Sequence, residues 1–166
     1  MRFSVLLAFL FMSSFVIAQS DPQEYKATHE GWLVKVDEAF AESQRTGKPI
    51  MASFDGSDWC TWCKRLSANV YEQPGFMEWA NKNVVLLQLD FPRRTPIPEE
   101  IKRQNASLQQ AFKVRGFPTV WVFDLERDEA SGKMAISALG RTGYTKTLEE
   151  FTTGVDEMIA RRDQAN

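Results

Sequence analysis

Cysteine and histidine are almost missing from this sequence, with two of the first and one of the second in 166 residues. That scarcity excludes a disulfide-stapled scaffold, which needs many cross-links in a short chain. A closed zinc site is also left short, because such sites take four protein ligands, or three and a water. Carboxylates would have to complete any set built on Cys60, Cys63 and His29, so no metal is expected. Covalent haem of the c type is excluded because Lys64, not histidine, follows Cys63. His29 lies in a polar stretch and reads as an ordinary solvated residue.

Excess charge of either sign is missing too. Residues 1–18 hold one basic residue, Arg2, and no acid, so the remainder sets 19 basic against 22 acidic side chains. That balance argues against a nucleic-acid partner. Long apolar runs are absent after residue 18. Before it, Arg2, the stretch Val5 to Phe11 and the closing Val16-Ile17-Ala18 make a secretory signal peptide, cut after Ala18. As a membrane span it is too short, and Ser13 and Ser14 interrupt it. No cysteine follows the cut to carry a lipid. The expected organisation is a signal peptide over 1–18, an N-terminal leader over 19–35 and one domain over 36–162. The mature chain is expected to be soluble, without a membrane span, and periplasmic or secreted. Its length supports a full hydrophobic core without staples.

What is present gathers in Gly56-Ser57-Asp58-Trp59-Cys60-Thr61-Trp62-Cys63-Lys64. Two thiols three positions apart on a first helical turn can close into a disulfide or open to a dithiol. The start of a helix favours thiolate over thiol. A purely structural disulfide is the competing reading. It is weakened by the short loop, whose closure removes little entropy from the unfolded chain.

Around this stretch the chain alternates. Asp37 to Thr46 reads as a helix stopped by Gly47, and Ile50 to Phe54 as a central strand. The helical run after the cysteines spans Lys64 to Val70, and a short helix follows over Pro74 to Ala80. Val84 to Leu89 is a strand buried on both faces, ending at Asp90. Phe91 to Pro98 is an exposed loop whose arginines serve solubility. Glu99 to Lys113 is a helix burying Ile101, Leu108, Ala111 and Phe112. Thr119 to Phe123 and Met134 to Leu139 pair across a charged loop, and a last helix is capped by Thr145 or Thr147, with Glu150 completing a capping box. The fold class is therefore α/β, a central mixed sheet flanked by helices. The cysteines fall just past the C-terminal end of a central strand, where ligand sites of open α/β sheets lie.

Three motifs resemble the thioredoxin superfamily, most nearly its exported bacterial members. They are Trp59-Cys60-Thr61-Trp62-Cys63-Lys64, the run Val114-Arg115-Gly116-Phe117-Pro118-Thr119-Val120, and Gly143-Tyr144-Thr145 with Leu148 and Phe151. Together they span Lys48 to about Ile159. The resemblance implies a thioredoxin-like fold and a thiol-disulfide oxidoreductase, with Cys60 as nucleophile and Cys63 as resolving thiol. It also implies a cis Pro118 lying against the pair. Trp59, Trp62, Phe117, Pro118 and Gly143 then form the surface that takes a polypeptide, and no cofactor is required. Partners would be exported proteins with disulfides, and a membrane or soluble thiol electron donor. Between the cysteines stand Thr61 and Trp62, with no histidine to stabilise the thiolate, which favours a reductase or isomerase.

Two positions depart from the family. The buried acid that precedes the strand phenylalanine is Ser53 here, and its lysine companion is Leu86. Losing both together is coherent, because either charge alone would be stranded in the core. Asp55 could replace the acid only if an extra residue before Trp59 turns it inward. The alternatives to catalysis are a binding or chaperone-like module with a permanently oxidised pair, or a dedicated reductant for cytochrome or copper-site assembly.

Overall fold

The computed structural model describes residues 25–128 and 134–165. The expected signal peptide and the leader as far as residue 24 lie outside the described residues. The elements run α1 (Val36–Thr46), β1 (Ile50–Asp55), α2 (Thr61–Leu66), a π-helical turn (Ser67–Tyr71), α3 (Phe76–Asn83), β2 (Val85–Asp90), α4 (Glu99–Ala111), β3 (Thr119–Arg127), β4 (Met134–Thr142) and α5 (Leu148–Ala165). The sheet has the order β2-β1-β3-β4, parallel between β1 and β2 and antiparallel elsewhere.

The alternation of side chains along β1 divides the core. Met51 faces one layer with Leu66, Val70, Phe76, Phe151 and Val155, beneath α2, the π turn, α3 and α5. Ile50, Ala52 and Phe54 face the other with Ala39, Phe112 and Phe123, beneath α1 and the end of α4. With helices on both faces, every residue of β1 and β2 is buried, which is why both read as apolar runs. Gly47 ends α1 with a φ of 71°, a left-handed turn that glycine adopts without strain.

Several elements differ from expectation for local reasons. The helix that carries Cys63 starts at Thr61, ahead of the run from Lys64, because the Cys60 side chain caps it. β3 and β4 continue past the apolar run, since Leu125 stays buried while Glu126 and Arg127 point to solvent. In α4, Asn105 is buried and Ala111 is exposed. The Asn105 amide donates to the Asp90 carbonyl at 2.9 Å, a partner no helical periodicity reveals. Thr147 Oγ1 accepts from Glu150 N at 3.1 Å, and the Glu150 carboxylate accepts from Lys146 N, one residue outside the ordinary box. Packing begins ahead of α1. Trp32 and Val34 are buried, and Leu33 bridges to Leu87 beside β2.

Candidate active site

β1 delivers the chain to a tight turn at Gly56, where Cys60 N donates to Gly56 O at 2.8 Å. Cys60 then sits at the N-terminal cap of α2, its sulfur accepting the Cys63 N–H at 3.1 Å. Cys60 and Cys63 are joined as a disulfide, their Cα atoms 5.3 Å apart. Both are nearly covered, with 5% and 7% of their surface exposed. The Phe117–Pro118 peptide bond is cis.

A cavity of about 190 Å³ lies behind the disulfide, lined by Cys63, Pro118, Ser53, Asp55, Ser57 and Gln88 among others. Gly143 closes on the far side of the proline: a Cβ there would lie 3.3 Å from the Pro118 carbonyl oxygen.

The aromatic candidates separate into two groups. Trp62 is half exposed, with Tyr144 at 4.9 Å edge-on and the Arg65 guanidinium 4.7 Å from its ring. Trp59 is partly buried and held on three sides. Its indole N–H donates to Phe91 O at 2.8 Å, Arg93 lies over its face, and Phe117 meets it edge-on at 5.9 Å. Phe117 in turn stacks on Phe91 at 5.1 Å.

The arginine loop is therefore part of the site's wall rather than a mere solubilising surface. Its anchor is Asp58, whose carboxylate accepts N–H donors from Arg93, Arg94 and Thr95 at 2.6–3.2 Å. The Arg93 N–H foremost, with those of Arg94 and Thr95, holds Asp58 below the usual carboxylate range. Three donors keep Asp58 ionised and lessen the opposition of its charge to a thiolate two residues away.

Asp55 is the larger surprise. Residues two apart on a strand share a face, so Asp55 follows Ser53 into the layer behind the disulfide. It is 9% exposed and pairs in register with Asp90 of β2. Burial first, and the Asp90 carboxylate second, push Asp55 well above the usual carboxylate range. Gln88 donates to Asp55 at 3.4 Å, and Ser57 binds both Asp90 oxygens, through its N–H at 2.8 Å and its hydroxyl at 2.6 Å.

His29 is not solvated as its surroundings in sequence imply. It is half-buried, its ring 5.8 Å from Tyr71 and 6.3 Å from Trp32, and Nε2 lies 2.9 Å from Ser67 Oγ. Burial keeps it below the ordinary histidine value. The sequence signal was Trp32, three positions on, which had to pack somewhere. Among the described residues no group of three or more His, Cys, Asp or Glu could hold a metal ion. No helix among them is long and apolar enough to cross a membrane.

Residues 36–151 match the family model of the thioredoxin-like domain. Over 112 residues, 68% of the chain and 67% of the relative, it is 30% identical to the disulfide bond reductase DsbH of Chlamydia pneumoniae. It is 26% identical over 119 residues to the thiol:disulfide interchange protein DsbD of Klebsiella pneumoniae, covering 72% of the chain but only 18% of that protein. A solved DsbH oxidoreductase superposes with a TM-score of 0.67 at 26% identity, covering 84% of this chain and 95% of the other.

Proposed function

Because this chain belongs to the thioredoxin-like domain family, we propose that it exchanges disulfides in exported proteins through Cys60 and Cys63, chiefly as a reductase or isomerase. Thiol-disulfide oxidoreduction is the activity the relatives' names share. The single observation that carries our reading is the cysteine pair at the head of α2, with Pro118 in the same cavity.

In the reducing direction the Cys60 thiolate attacks one sulfur of a substrate disulfide, and the other sulfur leaves as a thiolate. Cys63 then attacks Cys60 Sγ, forming the Cys60–Cys63 bond and releasing the second substrate thiol. Two electrons pass from protein to substrate. A membrane or soluble thiol donor returns them. The N–H of Cys63 aimed at Cys60 Sγ supports Cys60 as nucleophile, because the same donor favours a thiolate there. Exposure of Trp62, and a glycine at 143 that sets no side chain against the Pro118 carbonyl, support a polypeptide substrate, held by strand-like backbone bonds beside Pro118. Trp59 and Phe117 act as the wall of this surface. The export-signal pattern of residues 1–18 supports a periplasmic or secreted location.

Insulin reduction with dithiothreitol tests the reading. Wild type should accelerate precipitation of the insulin B chain, and Cys60→Ser should fall to the uncatalysed rate. Equal rates for the two proteins would refute it.

A further inference from the structure

We propose that Asp55 receives the proton of Cys63 when that thiol resolves the mixed disulfide, and that Thr28 and Gln88, partly from outside the matched family domain, position it. The proposal rests on the exchange reaction above.

The chemistry requires an acceptor. Cys63 attacks as a thiolate, its sulfur bonds to Cys60 Sγ, the Cys60–substrate bond breaks, and the substrate sulfur leaves with the electron pair. The proton shed by Cys63 has to go elsewhere. Ser53 and Leu86 cannot take it. Asp55 and Cys63 line the same cavity, whose roughly 190 Å³ is ample for water, since one molecule needs only about 10–15 Å³ by this kind of measure. An ordinary carboxylate is a poor base for a thiol, their values lying about four to five units apart. Burial and Asp90 raise Asp55 and narrow that gap, which is the direction efficient proton transfer needs.

Four polar side chains form one lattice here, because Ser53 is in register with Gln88 and Asp55 with Asp90. The N-terminal stretch closes it. Thr28 N donates to Gln88 Oε1 at 2.6 Å, and Gln88 Nε2 donates both to Thr28 Oγ1 at 3.0 Å and to Asp55. Thr28 lies ahead of residue 36, where the family match begins. The titratable or charged groups around the cavity are Asp90 from β2, Tyr25 and His29 from the N-terminal stretch, Lys64 from α2, and Tyr71 and Glu72 from the π turn and its end. Tyr25 is pushed up to about 12, by burial and then by Asp90 and Asp55, so it stays neutral as Asp55 titrates.

The test uses reduced full-length protein and dithiobis(nitrobenzoate) in stopped flow. The first thionitrobenzoate release reports attack by Cys60, and the second reports resolution by Cys63. Asp55→Asn should slow the second phase on the order of a hundredfold near neutral pH and alter its pH profile, leaving the first within about twofold. Thr28→Val should displace the pH profile of the second phase alone, and Thr28→Ser should restore it. An unchanged second phase in Asp55→Asn would overturn the proposal. If that variant does not fold, the Asp55 carboxyl is followed by carbon NMR in oxidised and reduced wild type. Its titration midpoint should depend on the redox state, and a midpoint indifferent to it would equally overturn the proposal. The reagent needs no protein substrate, so a failed insulin assay and a failed role for Asp55 are separate results.

Discussion

The Arg93 guanidinium lies 3.8 Å from the centroid of the Trp59 ring, joining a loop after β2 to the residue before the first cysteine. A cation over an indole face contributes about 0.5–2 kcal/mol, depending on how dry it is. Arg93→Ala should therefore lower unfolding free energy by about 1 kcal/mol in urea titrations. A neutral result would mean that the hydrogen bond to Phe91 and the contact with Phe117 fix the ring without the cation.

Asp58 carries a charge close to Cys60 while its oxygens hold the backbone of residues 93–95. Removing that charge in Asp58→Asn should favour the Cys60 thiolate and make the couple more oxidising. Equilibration against glutathione should show a rise of roughly 10–30 mV, up to tenfold in the exchange constant. A fall in potential would contradict this account of the loop.

Gly143 sets no side chain against the Pro118 carbonyl, and an added Cβ would stand 3.3 Å from that oxygen. Gly143→Ala should reduce turnover of insulin several-fold while leaving reaction with dithiobis(nitrobenzoate) near wild type. Equal losses with both would point to damage at the sulfurs themselves.

Asp55 also makes stability depend on pH. Its folded value is raised above the unfolded one, so its contribution is fully present below the ordinary carboxylate value and is lost as pH rises through the raised value. Asp55→Asn removes that loss, each unit of displacement being worth about 1.4 kcal/mol. Compared by urea unfolding, the variant should gain on wild type at about pH 8 and lose the advantage at about pH 4. A difference that does not vary with pH would mean that the fold does not raise Asp55.

Much of the fold was legible because its signals are local. Ile50 to Phe54 and Val84 to Leu89 are apolar runs; β1 runs one residue further, to Asp55, and β2 is displaced by one residue at each end. The Cys60–Cys63 pair and the exposure of Trp62 were legible from spacing and family likeness. What escaped depends on register between distant segments. Asp58 meets a loop 35–37 residues away, and His29 meets Ser67 across 38. Asp55 is inward because β1 runs one residue beyond its apolar stretch, placing the carboxylate opposite Asp90. No periodicity announces a buried acid, since composition alone makes it look like a strand's exposed end.

Leu33 does more than anchor the first residues. Its N–H donates to Leu86 O at 3.0 Å and its carbonyl accepts Gln88 N at 2.8 Å, occupying the outer rim of β2. Bare rims invite neighbouring molecules to zip on. The opposite margin of the sheet is β4, where Ile136 is 38% exposed. Clipping the chain just before α1 would create a second adhesive border, and crowded refolding should then favour aggregates over monomers.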